Sequence, residues 1–200
     1  MTTIGSTASP DEVLAFWFGA PGSPEHGTVR AQWFAKSDAF DEQVRHGFLP
    51  TVEAAERGEL AGWDGPAATP RHRLALLIVC DQFPRNLFRG QPRAFGLDAR
   101  ARETARAMVA RGDDLQLAPL QRWFVYLPFE HSESRDDQRE SLRLFALLRD
   151  DPLAGGGWEW AVRHAEVIER FGRFPHRNAA LGRADTPEES DFLRQPGSRF

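Results

Sequence analysis

The chain has one cysteine, one lysine, no alternating apolar pattern and no long apolar run, and each shortage excludes a class of protein. Cys80 is the single cysteine in 200 residues, so there is no intrachain disulfide framework and no thiolate-rich metal site. A reducing compartment fits. The adjacent Asp81 would raise the thiol pKa, so Cys80 reads as a core thiol and not as a nucleophile. Among 25 basic residues Lys36 is the only lysine, and a formal net charge of -4 leaves no net basic face for non-specific nucleic-acid binding. The longest apolar run, Leu74 to Cys80, is far too short to span a bilayer, and Met1 to Ser9 has no basic start or apolar stretch of a secretion signal. These absences predict a soluble cytoplasmic protein with no membrane or nucleic-acid partner.

No stretch alternates with period two for long enough to be a strand. The punctuation is that of a helical protein. Ser9-Pro10-Asp11-Glu12 combines an N-cap, a proline at the first helical position and a capping-box glutamate, and Gly19 closes that helix. Ser37-Asp38 opens a longer helix that Pro50 ends or kinks, and Thr51 to Arg57 continues helical to a cap at Gly58. Thr69-Pro70 restarts a helix whose Leu74 to Cys80 stretch is apolar all round, which places it at the centre of a bundle. That helix is expected to end at Phe83-Pro84, where the proline pushes Phe83 toward an extended conformation. Asp98 then caps a helix closed by Arg111-Gly112. Pro119 opens an aromatic helix stopped by Pro128, with Phe129 to Glu133 following as a turn. Ser134 and Asp137 form a variant capping box, Gly155-Gly156-Gly157 reads as a flexible connection, and Thr186-Pro187-Glu188-Glu189 caps the last helix. The expectation is one all-α domain over residues 1–200, a bundle or stack of about eight helices, with residues 1–9 as a flexible tail.

Two corners share a pattern. Asp81-Gln82-Phe83-Pro84-Arg85-Asn86 and Arg170-Phe171-Gly172-Arg173-Phe174-Pro175-His176-Arg177-Asn178 both run off an apolar helix into Phe-Pro and close on Arg-Asn. Asp81 and Glu130 each sit where a helix is expected to end, and a carboxylate there opposes the helix dipole. Such breaches of local rules mark candidate functional sites. His131 and His176 are candidate general bases, with Glu130, Glu133 or Asp81 orienting the ring. Arg85, Arg173 and Arg177 offer forked donors to a carboxylate or phosphate, with Asn86 and Asn178 to orient it. The structural alternative is that Asp81 and Glu130 pair with these arginines only to lock helix ends. His164, on an apolar helix face, reads as a satisfied buried histidine. Glu130-His131-x-Glu133 with His164 or His176 could gather metal ligands, but the spacing fits no zinc signature and the arginines oppose a cation, so no metal is expected.

Three stretches carry a family resemblance. Asp81 to Gly90, Gln121-Arg122 through Leu127-Pro128-Phe129-Glu130-His131-Ser132-Glu133, and Arg170 to Asn178 with Leu181-Gly182-Arg183 resemble the bacterial family catalogued as domain of unknown function 924. The resemblance runs from about Glu12 to Phe200. It implies an all-helical, tetratricopeptide-like fold and no established activity. Gly96-Leu97 and Arg183 to Thr186 differ from the usual family pattern, and neither change touches the three motifs.

Two functions follow as expectations. In the first, the corners and the Glu130-His131 turn form a pocket for a small anionic or polar metabolite, with His131, Glu130 and Asp81 supplying acid–base chemistry of hydrolase or lyase type and no cofactor. Arg85, Asn86, Arg173, His176, Arg177 and Asn178 would bind the substrate. In the second, the chain is a non-catalytic tetratricopeptide-like adaptor for a peptide or protein, and the polar motifs are structural clasps. The corners could also form a homodimer interface.

Overall fold

The most buried part of the chain is the stretch from Leu74 to Cys80, where every residue is at most 2% exposed. A computed structural model describes residues 6–198, and among these the regular secondary structure is entirely helical. The α-helical segments are α1 (Pro10–Phe18), α2 (Asp38–Glu56), α3 (Pro70–Leu77), α4 (Phe83–Leu87), α5 (Asp98–Arg111), α6 (Pro119–Glu130), α7 (Arg135–Ala146), α8 (Gly157–Phe171) and α9 (Pro187–Leu193). A π-helical turn, Ile78–Gln82, joins α3 to α4 without a break, so the described segments amount to eight helices. This agrees with the all-α expectation, and the helices pack in pairs in the loose manner of a tetratricopeptide-like stack. No described helix is long and apolar enough to cross a membrane.

The α3–π–α4 rod is central because it is apolar on every side. Helices α1, α5 and α6 pack against α3, and α2 packs against the π turn and α4. Burying each large aliphatic side chain of that rod is worth about 1.5–3 kcal/mol, which makes it the axis of the core. Aromatic rings extend the axis outward. Trp17 of α1 meets Phe83 and Phe124 edge-on, both at 5.7 Å between centroids. Phe48 of α2 lies 4.7 Å from Phe83, and Trp33 lies 4.9 Å from Phe124. Helix α7 packs on both α6 and α8, and a smaller cluster of Val167, Ile168 and Phe174, with Phe171 and Phe192, joins α8 to α9.

Several local expectations need correction. Met1 to Gly5 of the expected tail lie outside the described residues, but Ala8 is tied down, its N–H donating to Thr51 Oγ1 at 2.8 Å. Ser9 makes the expected capping box with Glu12. Phe83 is helical (φ -58°, ψ -39°) and not extended, because the chain widens into the π turn before Pro84. Phe83 N–H reaches back five residues to Ile78 O, and Pro84 falls in the first turn of α4, where a missing N–H costs nothing. Asp81 is therefore inside a continuous helical rod and not at a helix end. Likewise α6 runs through Pro128 to Glu130, whereas the expected continuation of helix past Pro50 is present in α2. The second corner is a true reversal, with Gly172 left-handed at φ 68° and Phe174 extended, so the two corners are different devices. Asp98 is the first residue of α5 and makes no cap hydrogen bond; its carboxylate is committed elsewhere.

The glycine run is not a flexible spacer. A Cβ on Gly155 would lie 2.5 Å from the carbonyl oxygen of Arg149, and one on Gly157 would lie 2.7 Å from the Phe145 ring and 2.9 Å from Trp123. Gly157 lets α8 approach α7 and α6, and Gly155 lets the loop before α8 fold tightly on itself. Gly157→Ala is expected to destabilise by about 1–3 kcal/mol through overpacking. At about 2–4 °C per kcal/mol for a chain of this size, the loss is readable as a lowered thermal midpoint.

Candidate functional site

The π turn places a carboxylate directly after the wholly apolar stretch from Leu74 to Cys80. Asp81 is 1% exposed, and its charge is met from three sides. His131, just past the end of α6, donates from Nδ1 to both carboxylate oxygens at 2.9 and 3.0 Å. Gln82 Nε2 donates to Oδ2 at 2.6 Å, and Arg85 lies 3.3 Å from Oδ1. Burial by itself would raise the Asp81 carboxyl, but Arg85 and His131 outweigh it and hold it well below the usual carboxylate range. Because Nδ1 carries the proton given to Asp81, the lone pair of neutral His131 is on Nε2, which makes no hydrogen bond among the described residues. Burial, opposed by Asp81, pushes the His131 pKa below that of an ordinary imidazole.

Glu130 precedes His131 on α6 and has the opposite environment. It is 2% exposed, its Oε2 has no hydrogen-bond partner among the described residues, and Oε1 lies 3.2 Å from His164 Nδ1. That nitrogen donates to the Trp160 carbonyl at 2.8 Å. Burial, reinforced by the Asp81 charge, raises the Glu130 carboxyl well above its ordinary value. Burial and the neighbouring His131 likewise push His164 well below its ordinary value. The site thus pairs an ionised carboxylate, which fixes the tautomer of a histidine, with a second carboxyl biased toward its neutral acid form.

Two arginines complete it. Arg85 forks onto Asp98 at 3.0 and 3.1 Å and also donates to the Asp81 carbonyl at 2.5 Å. Arg177 follows the second corner, is 6% exposed and lies 3.6 Å from Asp98 Oδ2. Its guanidinium packs on the rings of Phe95 at 4.8 Å and Phe174 at 4.5 Å. Its side chain makes no hydrogen bond among the described residues, and its buried Nε is unpartnered. Burial and Arg85 lower its pKa to about 10, so it stays charged at neutral pH. Burial and Arg177 in turn push His176 down to about 3, keeping that ring neutral.

These groups share a cavity of about 650 Å³. Glu130, His131, His176, Arg85, Asn86 and Arg177 line it, with Gln82 and His164 beside them. Asp81 stands behind His131. The lining also carries aromatic rings, from Trp33, Phe34, Trp123 and Trp160, and from Phe95 against Arg177. Asn86 donates to Asp41 at 2.8 Å, where Arg89 also forks at 2.6 and 2.9 Å. Arg173 and Asn178 do not line the cavity. Arg173 forks onto Glu189 of α9 at 2.6 and 2.7 Å, and Asn178 donates to Asp185 at 2.7 Å, so both clasp the C-terminal segment. Glu133 serves the same segment, accepting from Arg183 and the Phe174 N–H. No group of three or more His, Cys, Asp or Glu side chains among the described residues is arranged to hold a metal.

Sequence reasoning missed Asp98, taken there as a helix cap, and missed the aromatic wall. The surplus of aromatics in the short Trp33-Phe34 turn was the available signal. Nothing in the spacing of Trp123 and Trp160, which sit on different helices, could have joined them.

Residues 13–197 match the family described as "Bacterial protein of unknown function (DUF924)". A solved structure of a protein of unknown function from Agrobacterium tumefaciens is similar, with TM-score 0.78 and 37% identity over 92% of this chain and 96% of that one. No curated protein matches the chain.

The raised Glu130 carboxyl has a signature in stability. The folded state holds this proton more tightly than the unfolded state, so the stability is complete below the unfolded value, about 4.3, and is lost as pH rises toward the folded value. Glu130→Gln removes that loss. Its thermal midpoint is expected to gain on wild type as pH rises above about 4.3 and to level off once the folded value is passed, and a difference that stays flat with pH would show that Glu130 is not a buried neutral acid.

Proposed function

The chain belongs to the DUF924 family, whose description names no activity, and from the chemistry gathered at its cavity we propose an acid–base enzyme acting on a small anionic or polar metabolite. The observation that carries this is the Asp81–His131 hydrogen bond, which leaves Nε2 of His131 as a free base on the same cavity wall as Glu130. Asp81 orients the ring and stabilises the imidazolium that forms when Nε2 takes a proton from water or from the substrate. Glu130, biased toward its protonated form, donates to the leaving group. Two titratable groups whose environments drive their pKa values in opposite directions divide the base and acid roles. Arg177 holds the anionic group, and Asn86 and His176 border it. Hydrolysis and elimination both need only these groups.

The clasp reading applies to Arg173 and Asn178, whose side-chain N–H groups donate to α9 and the loop before it. The substrate-binding roles first considered for these two residues therefore drop out of the proposal.

The test is to incubate the purified protein with pooled metabolites and follow consumption by mass spectrometry, comparing wild type with His131→Ala and Asp81→Asn. Any wild-type turnover is expected to fall about 10²–10⁴-fold in His131→Ala. The rate is expected to rise with pH as His131 deprotonates, at a pH below that of an ordinary histidine, and to fall again as Glu130 ionises. Turnover that survives both substitutions would sink the acid–base reading. Arg173→Ala is expected to lower the melting temperature without changing the rate measured below it.

A further inference from the structure

The cavity has two halves of different chemistry, and the charge balance of the polar half limits what it can accept. Arg85 is matched by Asp81 and Asp98, and Arg89 by Asp41. Lys36, at the rim, pairs with Asp38 at 3.5 Å. Arg177 shares Asp98 with Arg85, at the longer distance of 3.6 Å. With Glu130 and His131 neutral, the two inner arginines are balanced by two carboxylates. The polar half is therefore rich in unused donors without being rich in unused positive charge. Arg177 holds those donors. The phenyl rings of Phe95 and Phe174 fix its guanidinium, and its N–H groups, which lie in the guanidinium plane, are left without a hydrogen bond among the described residues. One carboxylate fits such a fork in bidentate fashion. A carboxylate adds one negative charge to this balanced set, whereas a phosphate monoester, carrying about -1.5 to -2 charges at neutral pH, would add nearly twice as much beside Asp81 and Asp98.

The other half asks for an apolar body. Phe34 stacks on Trp123 with centroids 5.1 Å apart and planes 25° apart, and Leu127 and Trp160 continue the wall. Phe34 is 49% exposed and Trp160 38%, so two large aromatics stand uncovered at the rim of the cavity. A volume of about 650 Å³ is far more than a bare acetate or phosphate fills and lies within the range of organic-ligand pockets.

We infer that the cavity takes an amphiphilic monocarboxylate, with the carboxylate forked on Arg177 and an aryl or alkyl body laid against Trp123 and Phe34. This assignment rests on the reading of the cavity as a substrate site and names the substrate class for it.

The experiment is tryptophan fluorescence and calorimetric titration of the full chain with five probes: 3-phenylpropionate, octanoate, acetate, 3-phenylpropanamide and phenyl phosphate. 3-Phenylpropionate and octanoate are expected to bind more tightly than acetate. A hydrogen-bonded charge at Arg177 is expected to favour 3-phenylpropionate over its amide by about tenfold to a hundredfold. Phenyl phosphate is expected to bind more weakly than 3-phenylpropionate. Arg177→Met should erase the difference between acid and amide, and Phe34→Ala, at an exposed position, should weaken 3-phenylpropionate while the protein stays folded. If Arg177→Met does not fold, the comparison of acid, amide and phosphate on wild type decides. An amide that binds as well as the acid, a phosphate that binds best, or no binding by any carboxylate overturns the inference.

His131→Ala separates the two readings, because it removes the proposed base and leaves Arg177 in place. If it keeps 3-phenylpropionate binding but also keeps turnover, acid–base catalysis by His131 fails while the carboxylate site stands. If wild type binds no carboxylate yet loses another turnover on His131→Ala, only the substrate class fails.

Discussion

The charge on Asp81 is the constraint around which the rest of this structure is arranged. It sits in the helical rod whose other residues from Leu74 to Cys80 are apolar and buried. An isolated carboxylate in that position would cost several kcal/mol. Three partners, Gln82, Arg85 and His131, make it tolerable, and the latter two create further requirements. Arg85 brings a cation that needs Asp98, Asp98 also faces Arg177, and His131 must present Nδ1–H from the end of α6. Helices α4, α5 and α6 and the second corner are thus tied to one buried charge. The π turn widens the rod just ahead of Pro84, so the chain carries this carboxylate without interrupting the core helix.

Beside this balanced network lie groups kept neutral by the same burial. Glu130 and His131 are adjacent in sequence, yet one faces apolar surroundings with an unpartnered oxygen and the other rests on Asp81. Desolvation acts on them in opposite directions, since it disfavours the charged form of each: it raises the carboxyl and lowers the imidazole. An acid and a base can therefore coexist at neutral pH within one cavity. The polar residues around Glu133, Arg173, Asn178, Arg183 and Glu189 belong to a different system, in which carboxylates and arginines satisfy one another and hold α9 against the second corner. Both systems look alike in sequence, because both are built from Arg, Asn and carboxylates near Phe-Pro.

Much of the fold was legible from the chain. Capping residues and first-turn prolines marked the starts of α1, α3, α6 and α9, and the apolar run at Leu74 marked the central helix. The misreadings cluster at two prolines inside helices. Pro84 and Pro128 each announce a break by local rules, but tertiary burial of the flanking aromatics carries the helix through, directly in α6 and by a π turn ahead of α4. Gly155 and Gly157 read as slack for the same reason: a glycine chosen for close approach looks identical, in sequence, to one chosen for flexibility.

Sequence by itself determined the helical class, the central helix and a short roster of polar candidates, because periodicity, caps and rule-breaking charges are local properties. It could not divide that roster. Arg173 and Arg177 stand four residues apart in one motif, and only the folded chain turns the first onto Glu189 and the second, packed on two phenyl rings, into the cavity. Tertiary structure also decided the pKa directions and the aromatic wall. Burial depends on which helices cover a group, and Phe34, Trp123 and Trp160 meet only when three distant segments pack together.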